Sequence, residues 1–89
     1  MKFLSSAIKL IPKNGSQMIV YGKRHRDCLE QIYKMRIDRD ELKDIQGFIV
    51  LINGLETFVD RNIGAQIAKD LGYKLEYENC LYSEDIWPE

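Results

Sequence analysis

No stretch constrains this chain more than Gln46–Gly72, QGFIVLINGLETFVDRNIGAQIAKDLG. Phe48, Ile49, Val50, Leu51 and Ile52 are branched or aromatic and favour a pleated surface. Asn53-Gly54 supplies the φ > 0 positions of a tight hairpin turn, which makes Glu56–Val59 the return strand. Asp60 is placed to cap a helix with its carboxylate. Ile63, Ile67, Ala68 and Leu71 recur at helical spacing, and Gly72 ends the helix at C′. Gly64 and Ala65 are small enough for a close approach to a sheet or a partner, although Gly64 costs roughly 1 kcal/mol of helix propensity relative to Ala. The stretch reads strand, turn, strand, helix.

The first third of the chain repeats that order. Phe3–Ile11 alternates imperfectly, Pro12–Ser16 is a turn built on Asn14-Gly15, and Met18–Tyr21 returns as a second strand. Gly22 changes the period. Arg24–Arg36 is then a helix, with Cys28, Leu29, Ile32 and Met35 along one stripe and His25 one turn earlier. Asp27 and Glu30 near its start and Lys34 and Arg36 near its end complement the macrodipole. Ile37–Asp44 is strongly charged and reads as a solvated loop or a short helical turn. After the second helix, Tyr73, Leu75 and Tyr77 alternate with Lys74, Glu76 and Glu78, which predicts a closing strand with one wet face. In the tail SEDIWPE, Ile86 and Trp87 are expected to dock on the chain's own core or across a subunit interface. The predicted class is α+β, one small domain over residues 1–89 in the order β-β-α-β-β-α-β.

Eighty-nine residues bury only a modest share of their surface, so association would add useful core. No segment approaches the roughly 20 apolar residues of a membrane span. The start, MKFLSSAIKLI, is interrupted by Ser5, Ser6 and Lys9 and reads as the first strand rather than a signal peptide. That predicts a cytoplasmic protein whose Cys28 and Cys80 are reduced.

The formal charge of −1 hides a polarity along the chain. Residues 1–36 carry eight Lys or Arg against Asp27 and Glu30, a net +6, whereas residues 37–89 carry five against twelve carboxylates, a net −7. A duplex-binding protein would usually show a strongly positive total. Three readings of the polarity remain: a local basic face for a small anion, a contact in which the basic half of one subunit meets the acidic half of another, or neutralisation within one fold.

The most distinctive polar cluster is Gly22-Lys23-Arg24-His25-Arg26 at the junction of strand and helix. Glycine lets the backbone turn near a ligand, helix amides point outward, and the basic side chains add charge. Those are the ingredients of a phosphate site, without a Walker or dinucleotide pattern; ordinary surface basicity reads somewhat better. Asp60-Arg61-Asn62 repeats the arrangement. Arg61 sits in a first turn, where the dipole disfavours a cation unless a carboxylate or a bound phosphate compensates it.

His25 has neither an orienting acid nor a nucleophile visible in the sequence, and a buried structural histidine is the commoner outcome. Cys28 lies one turn away among Leu29 and Ile32, as a core cysteine would. Two distant cysteines and one histidine do not make a zinc site, and the Glu84-Asp85 pair lacks further oxygen ligands. Neither a metal nor a cofactor is expected. Among the aromatics, Phe58, Tyr82 and Trp87 lie near element ends and are the candidates for a ligand or a partner.

The run Gly22-Lys23-Arg24-His25 with Cys28, then Gln46-Gly47-Phe48, then Phe58-Val59-Asp60-Arg61 with Ala65, Ile67, Ala68 and Gly72, and finally Leu81–Trp87, resembles a group of small phage-encoded proteins. Some of that group are similar to the phage anti-Thoeris sponge, which captures a cyclic ADP-ribose signal without degrading it. The resemblance spans Ala7–Trp87. It implies a small α+β protein forming dimers or trimers of dimers in the host cytoplasm. Its pockets would lie between subunits and bind a cyclic nucleotide through basic residues and stacking rings. On these grounds the expected ligand contacts are Lys23, Arg24, His25 and Arg61 for phosphate, and Phe58, Tyr82 and Trp87 as ligand or interface aromatics. The expected protein is not an enzyme and has no duplex or membrane partner. The competing expectation is a phage protein that inhibits or bridges a host protein by direct contact. Arg61→Ala is expected to weaken anion binding and leave the fold intact.

Overall fold

The computed structural model describes residues 1–13, 15–35 and 42–88. Strands β1 (Lys2–Pro12), β2 (Met18–Gly22), β3 (Leu42–Ile52) and β4 (Leu55–Asp60) form one antiparallel sheet in the order β2-β1-β3-β4. Helix α1 (His25–Lys34) follows the first hairpin, α2 (Arg61–Asp70) follows the second, and a single turn, α3 (Ser83–Ile86), lies near the C-terminus. The fold is α+β, as expected. Asn14, Arg36 and residues 37–41 lie outside the described residues, so the first turn, the end of the first helix and most of the charged connection are not compared. Leu42–Asp44, read as part of that connection, belong to β3.

The organising stretch folds by the chemistry read from it. Asn53 and Gly54 take φ of 51° and 80°, the left-handed pair of a type I′ turn, and β4 pairs back from Leu55. The Asp60 carboxylate accepts the Ile63 amide at 2.9 Å and caps α2. At the other end, Tyr73 N–H donates to Ala68 at 2.9 Å and Gly72 N–H to Lys69 at 3.0 Å, the two bonds of a Schellman motif.

The face that α2 buries differs from the expected stripe. Gly64, Ala65, Ile67 and Ala68 are buried, while Ile63 and Leu71 are exposed. Small side chains face inward, so the helix sits low on the sheet. There Phe3, Phe48, Val50 and Val59 meet Ala65, Ile67 and Ala68. A second cluster joins Ile8, Leu10 and Val20 to Cys28 and Ile32 of α1. Each helix thus covers the hairpin that precedes it.

The closing strand does not form. Residues 73–80 contain only an isolated Tyr77–Cys80 bridge. The chain instead retraces α2 in reverse. Lys69 pairs with Glu78 at 3.9 Å, and Leu81 N–H donates to the Arg61 carbonyl at 3.2 Å. Tyr73 meets the Phe3 ring edge-on at 6.0 Å, and Leu75 packs on the α2 cluster. The alternation that suggested a strand marks no buried row: Leu75 is half-buried, and Tyr73 and Tyr77 are exposed. Full burial begins at Leu81, which lies beside Gly64, and Ile86 and Trp87 dock on the chain's own core. Residues 81–87 therefore form a strap over the seam between the two ββα units. Among the described residues, no helix is long and apolar enough to cross a membrane.

Candidate functional site

All three helices begin at one place, because His25, Arg61 and Ser83 are their first residues and the three side chains meet. Each helix start has its own carboxylate. Asp27 accepts the Arg24 amide at 3.0 Å, Asp60 accepts that of Ile63, and Asp85 accepts that of Tyr82 at 3.0 Å. Arg24 has no side-chain acceptor to offer helix amides, so the α1 cap is one-sided and comes from Asp27. These acids sit where the partial positive charge of a helix start favours an anion.

The centre of the cluster is His25, buried against the edge of the Phe48 ring at 5.0 Å. Its Nε2 lies 2.8 Å from the Gly47 carbonyl, which can only accept, so Nε2 carries the proton. Nδ1 of the neutral ring then accepts. The Ser83 hydroxyl donates to it at 2.8 Å and Nη2 of Arg61 at 3.3 Å. Burial is the main cause that lowers the His25 pKa below 6.5, and Arg61 acts in the same direction; the Gly47 hydrogen bond and Glu84 oppose them. Ser83 Oγ also accepts the His25 amide at 3.3 Å and lies 2.8 Å from Ser6 Oγ. Ser6 in turn donates to the Lys23 carbonyl at 3.1 Å. Two hydroxyl protons thus serve three contacts: Ser83 gives its proton to His25, and Ser6 shares its own between Ser83 and Lys23.

Two arginines fasten the strap. Arg24 is buried; Nη2 donates to the Trp87 carbonyl and Nη1 lies 3.6 Å from the Glu84 carboxylate. Arg61 donates to the Leu81 carbonyl at 2.7 Å and to Oε1 of Gln46, with its guanidinium 4.7 Å from the centre of the Tyr82 ring. The dipole-disfavoured cation of the sequence reading is held by carbonyls and a ring rather than by Asp60.

The structure brings Arg24, His25, Arg61, Tyr82 and Trp87 into this cluster. Lys23 is exposed and contributes its carbonyl. Phe58 is elsewhere, half-buried on the opposite sheet face with Lys9 4.9 Å from its ring centre. Cys28 is core, and burial pushes its thiol up to about 11. Sequence reasoning missed Ser6, Gln46 and Ser83. Ser6 looked like a break in a strand and Ser83 like tail, and only proximity across 77 residues makes them partners. A serine does touch His25, and both are buried, Ser83 at 2% exposure.

The open part of the site lies on the outer side of Arg61. A hollow of about 520 Å³ is lined by Asp44, Ile45, Gln46, Asp60, Arg61, Asn62 and Cys80. It combines a guanidinium, two side-chain amides and two carboxylates, a set that can hold a polar molecule carrying both an anion and hydrogen-bond donors.

No curated protein and no solved structure matches the chain. One family does, over residues 3–87, and its description is Phage T4 y16D protein. A match covering both ββα units and the strap that joins them places this chain in the Phage T4 y16D protein family.

Proposed function

We propose that this phage protein binds and sequesters a cyclic nucleotide immune signal in the host cytoplasm without degrading it. The observation that carries the reading is the hollow at the start of α2, where half-buried Arg61 stands beside Asn62 and Gln46. Its volume of about 520 Å³ falls in the range of small-molecule sites. Arg61 and Asn62 suit a phosphate, and Asp44 and Asp60 suit ribose hydroxyls or exocyclic amines. The sequence motifs shared with small phage proteins, some of them similar to the anti-Thoeris sponge, suggest the same class of ligand. The burial of Ser83 supports binding over turnover. Calorimetry against cyclic ADP-ribose isomers and cyclic oligonucleotides tests it, with recovery of unaltered ligand after heating the complex. Heat with one of them and intact ligand are expected. No heat with any of them, or a converted ligand, would overturn the reading.

A second reading, direct contact with a host protein, is favoured by Tyr33 and Leu55, which are 83% and 70% exposed. Stoichiometric retention of one host protein that is lost in Leu55→Asp or Tyr33→Asp would support it.

A further inference from the structure

The two main helices and the strap all lie on one side of the sheet. The core residues Ile8, Leu10, Val20, Phe48, Val50 and Val59 point to that side. Side chains alternate along a strand, so the intervening residues face the other way. In register across that second face, Tyr21 pairs with Ala7, Ala7 with Gly47 and Gly47 with Asp60. The next row is Ile19, Lys9 and Ile45. Tyr21 and Ile45 are 51% and 39% exposed, and Ile19 and Phe58 are half-buried. The face mixes apolar and charged positions: Ile19 and Tyr21 line its β2 edge, and Lys9 stands on the inner strand β1 between Ile19 and Ile45. Lys2 and Lys9 lie on β1, Glu56 and Asp60 on β4, and Lys43 on β3 beyond the end of β4.

We propose that this face is the interface of a homodimer, with the two sheets stacked about a two-fold axis parallel to the strands. Such an axis reverses the lateral strand order, so the β2-β1 half of one copy covers the β3-β4 half of the other. Charge selects this orientation. It sets β1 of each copy over the partner's β3 and brings Lys2 level with the partner's Glu56 one strand across, whereas an axis across the strands would stack β1 on β1 and β4 on β4, like on like. The size fits as well. Strands about 4.8 Å apart, with about 3.3 Å per residue, give the sheet a face of roughly 500 Å² in projection before side-chain relief is added. A standard interface buries about 800 Å² per partner. The inference does not depend on the nucleotide reading.

Light scattering and sedimentation across a concentration series test it. The unaltered protein is expected to dimerise reversibly. Ile45→Glu and Tyr21→Glu should each raise the dimer dissociation constant at least about tenfold, because each forces a carboxylate into an apolar contact. Their circular dichroism should be unchanged, since both positions are exposed in the monomer. Tyr33→Glu, on the outer side of α1, should dimerise normally. Glu56→Lys should weaken the dimer, and adding Lys2→Glu should restore part of the loss, because Lys2 and Glu56 share a row of the sheet. A protein that stays monomeric at every concentration, or a dimer indifferent to Ile45→Glu and Tyr21→Glu, would overturn the proposal. An unchanged dimer in Glu56→Lys would overturn the orientation.

Discussion

The hydroxyl of Ser83 donates to Nδ1 of His25 across 2.8 Å, joining residues 58 positions apart that each begin a helix. The Gly47 carbonyl on Nε2 fixes the histidine tautomer, and the Ser83 bond ties the strap to the first ββα unit, with Arg61 as the second donor to the same nitrogen. The strap is thereby a structural member and not a loose tail.

Ser83→Ala should destabilise the protein by about 1–3 kcal/mol, the cost of leaving buried polar groups short of a partner. It removes one hydroxyl from contacts with His25 and Ser6 at once. Urea denaturation monitored by Trp87 fluorescence measures the loss. A midpoint equal to that of the unaltered protein would mean that the network contributes nothing.

Arg61→Ala should cost stability as well as anion binding. Arg61 donates to the Leu81 carbonyl and to Gln46, and its backbone carbonyl accepts from Leu81. Charge-assisted hydrogen bonds of this kind contribute about 1.5–3 kcal/mol each, and partial exposure reduces that, so a total loss of about 2 kcal/mol is expected. Arg61→Lys keeps the charge but not the fork, and should recover less than half of the loss. Hydrogen exchange should report faster opening at residues 81–87 in both variants.

Stability should fall as the solution is acidified through the range of His25. Its folded pKa lies below 6.5, so between the two values the unfolded chain binds more protons than the native one. The contribution is fully present above about pH 6.5, the usual unfolded value, and is lost as the pH falls through the folded pKa. Protonation would also turn Nδ1 into a donor facing the Arg61 donor at 3.3 Å. Denaturation midpoints at pH 7.5 and 5.5 measure the slope, and His25→Gln should lack the component that this residue supplies.

Gly47→Ala should be among the most damaging single changes. A Cβ there would lie 2.1 Å from the Val59 carbonyl oxygen and 2.7 Å from Cζ of Phe58. The ring can move, but the carbonyl belongs to the β3–β4 ladder, so strands must part. A loss above about 3 kcal/mol or failure to fold is expected, against a substitution that otherwise favours ordered chain. Thermal unfolding of the soluble fraction checks it.

Local chemistry made much of the architecture legible. Asn53-Gly54 supports few backbone geometries other than a tight turn, and Asp60 and Gly72 are strong start and stop signals. The β-β-α order of both halves follows from such signals. The convergence of the Gly22–His25 and Asp60–Asn62 junctions could be suspected from their similarity, but not their contact. Tyr73–Glu78 misled because alternating apolar and charged residues supply no strand partner of their own, and the sheet edges are not where this segment runs. Here Leu75 packs half-buried on the α2 cluster, Tyr73 touches Phe3 from an exposed position, and Tyr77 stays exposed beside Tyr82.

The sequence by itself determined two hairpins, each feeding a helix, because turns, caps and periodicity act over a few residues. It also determined that the charges divide between the halves. Tertiary structure decided which side of α2 is buried, where the last segment runs, and what the basic residues hold. Arg24, His25 and Arg61 are spread over 38 positions of the chain. Their partners, the Trp87 and Leu81 carbonyls and the Ser83 hydroxyl, become neighbours only when the strap closes the seam. The strap lies there because Leu81 is buried beside Gly64, a packing relationship no local pattern encodes.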